Sequence, residues 1–124
     1  MISAIDNNIT ALLGLALDAA GMRQQAIAHN IANVNTPGYQ RASVSFEARM
    51  ASVTAGLPRG AVPSLADLSS MRPTLEFADA ANGAVQLDEE MTDLSETVLH
   101  QQALLKALNK QFELLGMAIN EGKR

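Results

Sequence analysis

The sequence has no cysteine, no tryptophan, a single tyrosine and only two histidines. Without cysteine there is no disulfide framework and no thiolate metal site. His29 and His100 stand far apart, which argues against a multi-histidine metal centre. Aromatics make up 3 % of the chain, and the nine basic residues are scattered in a chain of net charge −4. A nucleic-acid groove needs clustered Lys and Arg with stacking rings, and neither is here. The eight glycines are dispersed, so no phosphate loop and no Gly-x-Ser-x-Gly elbow is formed. Asp88, Glu89 and Glu90 lack the spacing of a calcium loop and read as the first turn of a helix. No enzyme, cofactor or small-molecule substrate is expected. The longest nearly uncharged run, residues 7–22, is broken by Asp18 and holds Asn8 and Thr10, so it is a poor membrane span. No Lys or Arg precedes it, the first being Arg23, so a cleaved secretory signal is not expected.

What the sequence does have is 48 % apolar residues carried by Ala, Leu, Ile, Val and Met. That composition suits long helices packed on helices, and 124 residues make one domain of modest core. Residues 3–34 run without proline, with Ser3 as N-cap. One seam repeats there with gaps of four and three: Leu13, Leu17, Ala20, Gln24, Ile27, Ile31, Val34. A second apolar row, Ile5, Ile9, Leu12 and Ala16, flanks it, so the front of the helix is apolar on two sides and expects neighbours from other chains. Residues 88–121 form the other long helix, with Gly122, Lys123 and Arg124 as its stop. Its seam is Met91, Leu94, Val98, Gln101, Leu105, Leu108, Phe112, and its later half adds Leu104, Leu114 and Ala118.

Run antiparallel with Val34 level with Met91, the seams pair step by step, and Gln24 falls opposite Gln101. A buried amide pair costs stability against Leu–Leu but penalises a slipped register. The same register brings Met1 level with Arg124. Between the helices, Asn33 and Asn35 tolerate the left-handed conformation that closes a helix, Pro37 forces Thr36 out of the helix, and Pro37-Gly38 fits the centre of a type II turn before Tyr39. The rest of 35–86 is irregular, with a short helix over 45–55, a flexible loop over most of 56–73 and a short strand over 74–79. The expected fold is mainly α: a single domain over 1–124, its terminal helices pairing as an antiparallel coiled-coil hairpin around an irregular middle segment.

NIANVNTPGYQR, preceded by RQQAIAH, resembles the signature of the bacterial flagellar basal-body rod proteins. The likeness continues at Val44, Phe46 and Glu47, then in LDEEM (87–91) and ALNKQFELLGMAI (107–119), which most resemble the proximal rod member. It leaves out 51–86, and His100 stands where the family usually has a tyrosine. The resemblance implies a structural subunit that stacks helically through its terminal helices into a hollow shaft in the periplasm. That shaft transmits torque and passes exported subunits. The implied partners are copies of itself, other rod proteins, the junction protein at the membrane ring and the flagellar type III export apparatus. It also implies that Asn30, Asn33, Asn35, Thr36, Pro37, Gly38 and Tyr39 belong to an assembly contact, compatible with helix termination at the same place. The alternative from another class is a helical-hairpin adaptor that binds one partner helix.

Overall fold

The computed structural model describes residues 2–79, 81 and 83–122, with the side chains of 2–5 excepted. The first helix already includes Ile2, so Ser3 stands within its first turn and not at the expected N-cap position. The expectations placed on the Ile5 side chain, on Lys123 and on the level of Met1 with Arg124 lie outside the described residues. Six elements follow one another: α1 (Ile2–Ala32), β1 (Ala42–Ser45), α2 (Glu47–Ala55), α3 (Leu65–Ser70), β2 (Thr74–Phe77) and α4 (Leu87–Gly122). The fold is mainly helical, with two long terminal helices packed on one another and a small two-stranded sheet.

Helix α1 ends at Ala32, two residues before the expected stop. No non-glycine residue among those described has a positive φ, so Asn33 and Asn35 do not close the helix by turning left-handed. The chain unwinds instead through tight turns, with the Asn33 amide bonded to the carbonyls of His29 and Asn30, and the Thr36 amide to Asn33. The Tyr39 amide then closes on Thr36 at 3.2 Å, which puts Pro37 and Gly38 at the two central positions; Gly38 carries the φ of 74° that such a turn demands.

The middle segment is more ordered than its sequence suggests. β1 and β2 pair antiparallel, Ala42 with Phe77 through Ser45 with Thr74. The region 56–73 expected as loop contains α3, started by a capping box: Ser64 accepts from the Asp67 amide, and the Asp67 carboxylate accepts from the Ser64 amide at 2.9 Å. These bonds to Ser64 hold the Asp67 carboxyl below its ordinary range. Ser64-x-x-Asp67 was legible as a helix start, but proline and glycine on both sides hid it. Arg49 of α2 ties the segment together by donating to the carbonyls of Ser45 and Arg72 and to the Thr74 hydroxyl.

The core forms where this segment lies on α1. Ala19, Phe46, Leu68 and Met71 are buried together, with Leu12, Leu15, Ala16 and Val44 packed around them. Leu12 and Ala16, expected on a surface between subunits, are therefore covered from within the chain. The covering material is the folded middle segment: Phe46, Met50 and Val53 from the region expected as a short helix, and Leu68 and Met71 from the region expected as loop. The small Ala19 and Ala20, both fully buried, let the backbones of neighbouring elements come close.

α4 packs chiefly on α1. Its sheltered positions recur with gaps of four and three: Glu90, Leu94, Thr97, Gln101, Leu104, Leu108, Gln111, Leu115. This is a heptad seam, but not the one expected. Leu94, Gln101 and Leu108 keep their places, whereas Met91, Val98, Leu105 and Phe112 lie one residue further round and are 37–52 % exposed. Leu104, expected to face another subunit, faces α1. The shift follows from Glu90, whose burial at the start of α4 fixes the helix's rotation (below). On α1, Ala20 and Ile27 are buried, Leu13, Leu17, Gln24 and Ile31 half-buried, and Val34 lies past the helix end.

The two helices run antiparallel, and the Gln24 amide donates to Gln101 at 2.5 Å. Two other side-chain bonds bracket it, Asn30 to Glu90 and Gln111 to Asp6. They do not keep one register: from the first bracket to the glutamines α1 advances six residues while α4 advances eleven.

Candidate functional site

The signature stretch at the end of α1 folds into a buried polar knot. Asn30 is fully buried and uses its whole amide. Its Nδ2 donates to the Ala42 carbonyl at 2.8 Å and to the Glu90 carboxylate at 3.1 Å. Its Oδ1 accepts from the Ala42 amide and from the Tyr39 hydroxyl, both at 2.8 Å. Two donors and two lone pairs are all a carboxamide has, so nothing is left to offer a partner. Asn30 thus acts as a strand neighbour for β1, filling both backbone groups of Ala42 from the side.

Glu90 is equally buried and would be costly as an unpaired charge. Arg41 supplies the cation: its Nε donates to Glu90, and its terminal nitrogen reaches Asp93 at 3.1 Å. Four pieces of chain are joined here: the last turns of α1, the Tyr39 turn, the start of β1 and the first turn of α4. Burial pushes the Tyr39 phenol above its ordinary range, and the negative Glu90 adds to that. Arg41 and Glu90 were not singled out from sequence. Glu90 was read with Asp88 and Glu89 as helix-end charge, and only its neighbours in space distinguish it from those exposed acids.

The expected assembly motif divides accordingly. Asn30 and Tyr39 turn inward. Asn33 bonds back to the His29 carbonyl and receives the Thr36 hydroxyl. Asn35, Thr36, Pro37 and Gly38 stand exposed.

Beside the knot, α1, β1 and α4 leave a cavity of about 440 Å³ floored by Ala20, Ile27 and Val44. Arg23 crosses its rim to Glu47 and to the Val44 carbonyl. Burial alone would raise the Glu47 carboxyl, but the hydrogen bond and charge of Arg23 outweigh it and hold that carboxyl below its ordinary range. Among the described residues no three His, Cys, Asp or Glu side chains are grouped to hold a metal ion, and no helix is long and apolar enough to cross a membrane.

α4 also carries exposed apolar side chains. Met91, Val98, Leu105, Phe112 and Ile119 recur every seven residues along α4 and are 37–61 % exposed. They make a continuous stripe roughly 42 Å long at the usual helical rise. Leu114 and Ala118 are also exposed, further round the helix. The polar knot is satisfied from within the chain and α4 keeps an apolar stripe exposed, features of a mainly helical structural protein.

Comparison with known proteins narrows the class. The family model described as flagella basal body rod protein matches residues 14–40, the second half of α1 and the turn after it. The flagellar basal body rod protein FlgB of Bacillus subtilis is 30 % identical over 116 residues, covering 87 % of this chain and 90 % of that protein. FlgB of Escherichia coli is 28 % identical over 125 residues, covering 86 % and 89 %. FlgB of Borrelia hermsii is 53 % identical over a shorter stretch of 34 residues, 27 % of this chain and 25 % of that one. The chain belongs to the FlgB family of flagellar basal-body rod proteins. Its role is structural and not enzymatic, and its place is the basal-body rod.

Proposed function

We propose that the chain acts as one rod-protein domain that builds the proximal rod by helical stacking of its terminal helices. α1 and α4 form an antiparallel hairpin of coiled-coil type, held over Leu94, Gln101 and Leu108. Ile9, Leu114, Ala118 and the α4 stripe face neighbouring subunits. The neighbours are copies of the chain, other rod proteins and the junction protein at the membrane ring. The subunit arrives through the flagellar type III export apparatus, and the finished tube transmits torque and passes later subunits along its bore. Many modest helix–helix contacts repeated in a lattice make such a shaft stiff.

The observation that carries this reading is the stripe from Met91 to Ile119. Five large apolar side chains on one line of a helix are expensive to leave in water and match a partner helix better than solvent. The test is microscopy of basal bodies from cells lacking the gene, together with a swimming assay. We expect rings without rods and no swimming, and no rescue by Phe112→Glu although that variant folds. Normal rods in the deletion strain would overturn the assignment. Rescue by Phe112→Glu would remove the stripe from it.

A further inference from the structure

The outer edge of the small sheet is open. The Ala78 amide donates to the Arg41 carbonyl at 2.9 Å, which sets the phase of the β1–β2 ladder. In an antiparallel pair the residues that exchange hydrogen bonds alternate with those that do not. Ser43 with Glu76 and Ser45 with Thr74 therefore bond across the ladder, while Ala42 and Val44 turn their backbone groups outward. Asn30 confirms the phase by filling both groups of Ala42 from the opposite side, and Arg23 takes the Val44 carbonyl. By the same alternation the amides and carbonyls of Leu75 and Phe77 point away from β1. Among the described residues they meet no partner, and every residue of β2 is exposed.

β1 thus has its outer edge filled by side chains, and β2 has nothing. Edge strands are usually guarded by proline, lysine or a bulge. β2 instead shows Leu75 at 47 % and Phe77 at 60 % exposure, two positions apart and so on one face. Cross-strand partners share a face, so this is the face on which Ala42 is buried and Val44 joins the core. A strand added outside β2 continues that apolar face. A groove of about 660 Å³ lies between Leu15, Asp18, Met22 and Gln25 of α1 and Arg72 and Pro73, the two residues that lead into β2. On the other face Glu76 is exposed and has no ion pair among the described residues.

We propose that the free edge of β2 takes an extended segment of a neighbouring subunit as a third strand, with apolar residues beside Leu75 and Phe77 and a basic residue opposite Glu76. Four open backbone groups at strand spacing select an extended polypeptide over a helix, and the carboxylate selects its charge. A self-pairing centred on Glu76 would set two carboxylates opposite one another, which disfavours a symmetric contact. This contact rests on the rod reading and is separate from the helical stripe.

The test compares variants supplied as the sole copy, measured by their content in purified basal bodies. Leu75→Pro removes an amide that the ladder does not use, while Leu75→Val keeps both the amide and the apolar face. We expect Leu75→Val at the wild-type level, and Leu75→Pro and Glu76→Lys reduced at least tenfold. Equal content of all three overturns the proposal, as does equal loss with Leu75→Val. An unaffected Glu76→Lys refutes the basic partner. Should Leu75→Pro fail to fold, hydrogen exchange on the wild-type chain decides. The Leu75 and Phe77 amides should exchange at least tenfold more slowly in assembled rods than in the free chain, and an unchanged rate overturns the proposal. Absence of the wild-type chain from basal bodies would instead sink the rod reading, so the two failures are distinguishable.

Discussion

Replacing Asn30 by alanine tests whether the signature asparagine holds the fold or meets another subunit. The substitution removes four hydrogen bonds at once. Two losses are cheap: the half-buried Tyr39 hydroxyl can turn to water, and Glu90 keeps Arg41. The other two are not, because the amide and carbonyl of Ala42 are left unpaired at a position 5 % exposed. At about 1–3 kcal/mol for each buried group left without a partner, the cost is about 2–6 kcal/mol. That is a large share of the roughly 5–15 kcal/mol a domain has in total. Urea unfolding followed by circular dichroism measures it on the isolated chain. Asn30→Asp sharpens the test. It keeps the acceptor for the Ala42 amide but loses both donors and sets a second carboxylate against Glu90. It should be worse than alanine at neutral pH despite its closer shape. The new carboxyl has its folded-state pKa raised, so its stability is full at low pH and is lost as the pH rises through that value. Asn30→Asp should therefore recover part of its stability on acidification. If Asn30→Ala costs under about 1 kcal/mol yet abolishes assembly, Asn30 does not hold the knot and is a subunit contact instead.

Two further outcomes follow from the same structure. Gln24→Leu or Gln101→Leu alone should each destabilise by about 1 kcal/mol, because the partner amide is left half-buried and unpaired, while the double change should be neutral or stabilising; additive, harmless single changes would mean the pair does not interact. Tyr39 is the only tyrosine, so its ultraviolet titration is read without interference. Its phenol should ionise above the ordinary pH of about 10. The folded chain's stability is then full below that value and falls as the pH rises through the raised pKa. Glu90→Gln should bring the titration down without abolishing the shift, since burial is the larger cause.

The long helices were legible because each carries its own signal. A run without proline and a four–three spacing of apolar residues are local properties, and so is the Pro37-Gly38 turn, where only glycine takes the φ of 74° without strain. The Gln24–Gln101 contact was also legible, as two polar exceptions in two seams. The rotation of α4 was not. Both Leu94-Val98-Gln101 and Leu94-Thr97-Gln101 make a seam on paper, and the apolar one is the natural choice from sequence. The structure takes the other because Glu90 must meet Asn30 and Arg41, and a buried carboxylate without them would cost several kcal/mol. That rotation turns Met91, Val98, Leu105 and Phe112 outward.

Sequence alone determined that this protein has two long helices and a defined exit from the first, because composition and periodicity are written along the chain itself. Tertiary structure alone decided which stripe of α4 is hidden, that the middle segment covers Leu12 and Ala16, and that Asn30 serves β1. Each of those depends on groups separated in sequence, such as Asn30 and Glu90, whose pairing becomes visible only when folding removes the water that would otherwise satisfy both.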